Sequence, residues 1–260
     1  VVAKPEGESR VAVGDRVAIE TIGAGQSCGD CWYCRFGQFR HCERKIGDTG
    51  GGFAEYMTRM PAGLFKLTDG MDWTAGALVE PPAVSVHAVR WGRIGRGDTV
   101  AVVGSATIGL AAIVAAREMG AGKIIASARH KHQAEAAARL GADVVVGSEP
   151  GELEEAARDA TEGRGADVVL ESIGGNSADT LNQSVATCRA QGKVIIIGGF
   201  RNPVEFDFLA PMLAEQSMLL SACYGVVGGH HDYEVAIDIL TAGRLPFRDI
   251  VTHTVSLEDI

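Results

Sequence analysis

From residue 99 onward the chain repeats one pattern: a short apolar, β-branched run followed by a segment of helix length. Runs lie at 99–103, 123–127, 143–146, 167–170, 193–197 and 218–221. Helices are expected near 108–119, 133–140, 153–160, 178–188 and 233–242. Strands that are apolar throughout must be covered on both faces, and helix-length connections supply both the cover and the return path for parallel pairing. The fold class read from this is α/β, a doubly wound parallel sheet. Its ligand crevice should lie outside the carboxyl ends of the strands.

Residues 1–84 have another texture. Short alternating runs such as Arg16-Val17-Ala18-Ile19-Glu20 are broken by glycines, which reads as β-rich with long loops. Gly51-Gly52-Phe53-Ala54-Glu55-Tyr56 is expected to enter a further short strand. A helix should begin near Pro81, since proline suits a first helical turn, and run through Val86 and Val89 towards Trp91.

Within that first part, Cys28, Cys31, Cys34 and Cys42 read Cys-x2-Cys-x2-Cys-x7-Cys. Thiolates are soft ligands, and Zn2+ takes four of them at tetrahedral corners. With every corner filled by sulfur, such an ion is structural. The alternative is two disulfides, which would compete strongly in a small secreted domain. In a chain of 260 residues with its other cysteines scattered, the spacing favours zinc. Cys188, in an expected helix, and Cys223, in a strand-like run, read as ordinary buried thiols. Reduced, metal-bound cysteines fit the cytoplasm. The net charge of −9 argues against nucleic-acid and anionic-membrane partners, and no apolar run is long enough to span a bilayer.

The turn after the first strand of the repeating part, Gly104-Ser105-Ala106-Thr107-Ile108-Gly109, is one residue away from the dinucleotide fingerprint. Gly104 can make the tight turn and Gly109 can bring a helix close to the sheet. Ala106 places a methyl where glycine is usual, so a slightly displaced pyrophosphate is expected over the helix N-terminus. A plain strand–helix turn is the competing reading. At the end of the second strand an NAD site needs a carboxylate for the ribose diol. Ala128-Arg129-His130-Lys131-His132 offers none, and Arg129 could pair with a 2′-phosphate. NADP is therefore expected, with NAD the alternative and a solvated basic loop the bland reading. Ser172-Ile173-Gly174-Gly175 and Gly198-Gly199-Phe200 end the fourth and fifth strands and should border the nicotinamide half, unless they are simple turns.

In order and spacing, Val13-Gly14-Asp15-Arg16-Val17, the four cysteines, Gly51 to Tyr56, Glu80-Pro81 and Gly104 to Gly109 give the chain its resemblance to a known family. It resembles the medium-chain dehydrogenase/reductase superfamily, in its zinc-dependent alcohol and polyol (sorbitol-like) dehydrogenase branch. The resemblance implies a partial GroES-like catalytic domain over 1–84 with a structural zinc lobe. It further implies a Rossmann domain over 85–245 and, over 246–260, the start of a return to the catalytic domain. It implies hydride transfer between a secondary alcohol or polyol and NAD(P), with a small alcohol or ketone as substrate. It also implies a homodimer or homotetramer formed through the sheet edge.

Glu80 falls where the family places a further catalytic-zinc ligand or a carboxylate close to that zinc. By spacing alone it reads as a helix-start carboxylate complementing the dipole beside Pro81. The family's N-terminal Cys and Gly-His-Glu ligands have no counterpart here, since no histidine precedes His41. The expectation is an internal piece of a longer enzyme, inactive by itself. His41 and the pair His230-His231 read as loop residues, and His87 as helix packing. The rival readings are a zinc-free quinone or enoyl reductase of the same superfamily, against which the cysteines speak, and a non-catalytic nucleotide-binding module.

Overall fold

The computed structural model describes residues 1–4, 6–7, 11–20, 22–46 and 51–260. In chain order its elements begin with β1 (Val17–Ile19), α1 (Trp32–Arg35), β2 (Leu64–Lys66), α2 (Trp73–Ala77) and α3 (Glu80–Trp91). Strands and helices then alternate: β3 (Thr99–Val103), α4 (Thr107–Glu118), β4 (Lys123–Ser127), α5 (Lys131–Arg139), β5 (Val144–Val146) and α6 (Glu152–Asp159). The alternation continues with β6 (Ala166–Glu171), α7 (Asp179–Thr187), β7 (Cys188–Ile196), α8 (Leu209–Leu213) and β8 (Ser217–Leu220). Last come β9 (Val226–Val227), β10 (His230–His231) and α9 (Asp232–Ala242). Two compact units result, Val1–Ala83 with Cys223–Ala242 and Arg248–Ile260, and Val84–Ala222 with Gly243–Phe247.

In the second unit β3 to β8 form one parallel sheet in the order β5-β4-β3-β6-β7-β8. Chain order reverses between β3 and β6, the switch point where doubly wound sheets open a crevice. Alternation sorts the side chains. Ala101, Val103, Val169, Val194 and Ile196 share one face with Leu153 and Ala157 of α6 and Leu181 of α7. The opposite face takes α3, directly after which a Cβ on Gly92 would lie 2.1 Å from Ile195 Cδ1. Ser85 Oγ of α3 donates to the Ile108 carbonyl of α4 at 3.1 Å. Helix α4 buries Gly109 through Ala116, four of them alanines. Fully buried aliphatics such as Ile124, Ile125, Leu170 and Ile195 each contribute about 1.5–3 kcal/mol relative to exposure.

In the first unit β1 and β2 pair antiparallel, Ala18 opposite Phe65. The Arg16 guanidinium holds the turn beyond β2 by donating to the Thr68 and Asp69 carbonyls at 3.0 Å each. Tyr233 of α9 is buried, with its ring 4.9 Å from that of Phe65 and its hydroxyl donating to the Ile19 carbonyl at 3.3 Å.

Cys223–Ala242 packs with the first unit, where Tyr233 and His231 bury against Phe65. Four expectations are corrected. Residues 51–56 form bends rather than a strand, with Phe53 and Tyr56 exposed and no paired strand beside them among the described residues. Strand β7 begins at Cys188, not 193, because Cys188 already pairs with Ala166 before a register shift. Cys188 is thus a strand residue, and Cys223, at φ +60°, stands in none. His230-His231 is a strand, paired with β9.

Candidate functional site

The turn leaving β3 is built by close backbone approach. Gly104 has φ +88°, a conformation that suits glycine, and its amide donates to Ser127 Oγ at 3.0 Å. Ser105 Oγ donates to the Ser127 carbonyl at 2.8 Å, tying the turn to the end of β4. A Cβ on Gly109 would sit 1.9 Å from the Gly104 carbonyl oxygen, so only glycine fits. Ala106 is the N-cap of α4 and provides no side-chain cap. Ala106 and Thr107 are exposed, Ile108 is half-buried and Gly109 is buried. The first-turn amides therefore keep their hydrogen-bonding capacity and the positive end of the helix dipole for an anion.

Beyond β4, Ala128 is buried and its amide donates to the Val146 carbonyl at 3.0 Å. Arg129, His130, Lys131 and His132 follow, all exposed. The His130 and His132 rings stack nearly parallel, 5.6 Å apart. The first acid of the segment is Glu135, which pairs with Lys131 at 3.8 Å. The end of β4 thus presents positive charge and no carboxylate for a diol.

On the other side of the switch point stand the turns after β6 and β7. Ser172 Oγ donates to the Val103 carbonyl at 2.8 Å. Gly175 donates to the Gly199 carbonyl at 3.0 Å, and Gly175 bridges to Phe200. The structure therefore brings Ser172, Ile173, Gly198, Gly199 and Phe200 to the same end of the sheet as Gly104. Sequence reasoning missed Glu171, the buried last residue of β6, whose Oε1 accepts from the Ile173 and Gly174 amides at 2.9 and 2.8 Å. Its signal was present: an acid closing the apolar run Val168-Val169-Leu170 just before Ser-Ile-Gly-Gly.

In the first unit the four cysteine sulfurs lie within 4.8 Å of one another. Cys31 Sγ is 3.4 Å and Cys28 Sγ 3.9 Å from Cys34 Sγ, bracketing the roughly 3.8 Å edge of a tetrahedron with Zn–S bonds of about 2.3 Å. All four are free thiols, as are Cys188 and Cys223. Cys31 opens α1, Cys34 lies within it, and both are buried. Backbone contacts with Glu43 and Cys34 bring the Cys31 thiol down to about 6, while burial pushes Cys34 up to about 12. A dication at the centre would let all four ionise together. The donor set, the spacing and the enclosure fit a structural zinc ion.

Glu80 opens α3, half-buried, and burial raises its carboxyl above the usual range. Among the described residues, the four cysteines are the one group of three or more His, Cys, Asp or Glu placed to hold a metal, and Glu80 stands in no such group. Glu20 was also missed. It is fully buried, accepts from the Ala24 amide at 3.0 Å and lies 3.6 Å from His231 Nε2. His41 is exposed, and His87 stacks on Trp91 at 6.0 Å.

Comparison with known proteins places this geometry. Residues 107–242 match the zinc-binding dehydrogenase family model, and residues 1–69 match the alcohol dehydrogenase GroES-like domain. The sorbitol dehydrogenase of Bacillus subtilis is 30% identical over 250 residues, 95% of this chain and 68% of that one. The alcohol dehydrogenase TADH of Thermus sp. ATN1 superposes with a TM-score of 0.82 at 29% identity, covering 99% of this chain and 75% of that one. A zinc-binding dehydrogenase of Sinorhizobium meliloti, solved bound to NADP, gives a TM-score of 0.78 at 29% identity over 94% of this chain and 71% of that one. With a GroES-like match that contains the sulfur quartet ahead of a doubly wound sheet, the chain belongs to the zinc-binding dehydrogenases of the medium-chain dehydrogenase/reductase superfamily, oxidoreductases of the alcohol and polyol type.

Proposed function

We propose that this chain binds NADP(H) along the β3–β6 switch point and serves a hydride transfer between a secondary alcohol or polyol and the coenzyme. The observation that carries the reading is the Gly104–Gly109 turn, closed to any side chain at Gly109 and followed at β4 by a basic segment without an acid. Gly104, Ser105, Ala106, Thr107, Ile108 and Gly109 hold the pyrophosphate over the α4 N-terminus. Ala128 and Arg129 receive the adenosine end, Arg129 pairing with the 2′-phosphate. Ser172, Ile173, Gly198, Gly199 and Phe200 border the nicotinamide half. The relative solved with NADP supports this coenzyme over NAD, and the sorbitol dehydrogenase supports a polyol substrate.

Cys28, Cys31, Cys34 and Cys42 hold a structural zinc ion that shapes their lobe and supplies no chemistry. A catalytic zinc, when bound, would act as a Lewis acid on the alcohol oxygen. Glu80 is the one residue of this chain assigned near it, and its burial keeps the carboxyl from being freely solvated. The other residues named bind the coenzyme and orient it.

No helix among the described residues is long and apolar enough to cross a membrane, and a cytoplasmic location is proposed with the reduced cysteines. Strand β8 is an edge of the sheet with Leu220 79% exposed, and Met212 and Leu213 of α8 are also exposed. This apolar edge supports a homodimer joined there.

The test is a binding titration of NADPH and NADH by coenzyme fluorescence, with zinc stoichiometry and an alcohol panel that includes sorbitol. Tighter NADPH binding with zinc present supports the reading. Absence of binding to both coenzymes defeats it.

A further inference from the structure

We propose that Glu171 is a positioning residue for the nicotinamide half of the coenzyme, holding with one carboxylate and one carbonyl the two turns against which that half lies. The proposal rests on the coenzyme reading above. Glu171 closes β6 with no exposed surface, opposite Val103 on one neighbouring strand and Ile196 on the other. Its Oε1 accepts two successive amides, Ile173 at 2.9 Å and Gly174 at 2.8 Å. Its main-chain carbonyl accepts Ile197 at 2.8 Å and Gly198 at 3.1 Å. One residue thus gathers the turn after its own strand and the turn after β7. Gly175 and Gly199 then join the turns to each other.

The fit around this anchor has no slack. A Cβ on Gly198 would lie 2.4 Å from Glu171 Oε2 and 2.2 Å from the Gly174 nitrogen. A Cβ on Gly174 would lie 2.5 Å from the Gly199 nitrogen and oxygen. Burying a carboxyl group is costly unless hydrogen bonds offset the lost hydration, so an apolar residue would serve plain packing better, as Val169 and Leu170 do in the same strand. What the carboxylate adds is a fixed conformation for Ile173-Gly174. Ile173 is 54% exposed and overlies the pyrophosphate turn: a Cβ on Gly104 would meet its Cγ1 at 2.5 Å. Releasing Ile173 therefore moves the wall beyond Gly104, on the nicotinamide side, and leaves Arg129 and the end of β4 in place.

The experiment compares two ligands on the same variants: NADPH, and adenosine 2′,5′-bisphosphate, which carries the adenosine end alone. NADH with AMP forms the matched pair on the NAD side. E171D withdraws the oxygen by one methylene, and E171Q keeps an oxygen acceptor in place, since Oε2 has no hydrogen-bond partner among the described residues. NADPH should bind E171D about tenfold more weakly, the scale of one lost buried hydrogen bond, and E171Q within about threefold of wild type. The bisphosphate should bind all three proteins alike. Equal weakening of both ligands in E171D, or unchanged NADPH affinity, overturns the positioning role. A wild-type protein that binds none of these ligands overturns the coenzyme reading and this role with it.

Discussion

Gly109 faces the carbonyl of Gly104 so closely that a methyl on it would lie 1.9 Å from that oxygen. Gly109→Ala must therefore push α4 off the sheet or turn the Gly104 peptide. Overpacking of this kind costs about 1–3 kcal/mol, so thermal unfolding should come at a lower temperature, and NADPH should bind more weakly. Ala106→Gly is the counter-experiment. Ala106 is exposed, so the fold should hold while coenzyme affinity rises. A Gly109→Ala protein as stable and as tight-binding as wild type contradicts the geometry.

Arg129→Asp should reverse coenzyme choice. A charge-assisted hydrogen bond is worth about 1.5–3 kcal/mol, so the NADPH dissociation constant should rise at least about tenfold. NADH, whose ribose diol gains an acceptor, should bind more tightly. Equal use of both coenzymes by the wild-type protein would count against the assignment of Arg129.

One zinc ion per chain should be found by elemental analysis, and a chelator should expose the thiols of Cys28, Cys31, Cys34 and Cys42 to titration. Acidification should release the metal, because the ligands bind as thiolates. Cys31→Ser should lower zinc occupancy. Four oxidised cysteines in a zinc-free protein would remove the site.

Acid should weaken the second unit partly through Asp167. Burial acts to raise its carboxyl, but the Thr99 amide at 2.8 Å and Arg189 Nε at 2.7 Å outweigh it and hold the group below its ordinary value. A depressed folded value means the stabilisation is full above the unfolded value of about 3.9 and disappears as the pH falls through the folded one. Asp167→Asn should therefore unfold at a lower temperature than wild type near neutral pH, and the gap should close in acid. A constant gap across that range argues against the pairing.

Leu220→Asp should yield a monomer if the β8 edge joins two copies. Sedimentation of both proteins decides this. A wild-type monomer, or a variant that stays dimeric, assigns the apolar edge elsewhere.

The parallel sheet was legible because each of its strands is a short, largely apolar run, and most ends fall within two residues of expectation. The sulfur quartet was legible because its ligands are local, four side chains in fifteen residues. What escaped depends on pairing across distance. Phe53 and Tyr56 look like strand residues, yet no partner strand meets them among the described residues. Tyr233 sits in a helix that reads like the others, and only its burial against Phe65 assigns that helix to the first unit. Glu171 is a single acid whose carboxylate is held by backbone amides, which carry no letter in a sequence, and Glu20 meets a nearby amide and His231, a residue far along the chain.

Ala111, Ala112, Ala115 and Ala116 are all buried in α4, and alanine has no rotamers to rearrange. The seat of the pyrophosphate is therefore stiff from beneath, and core substitutions there can only tilt the helix bodily. Laboratory selection for altered coenzyme choice should accordingly recover its winners among the solvent-facing positions from Arg129 to His132, and leave α4 unchanged.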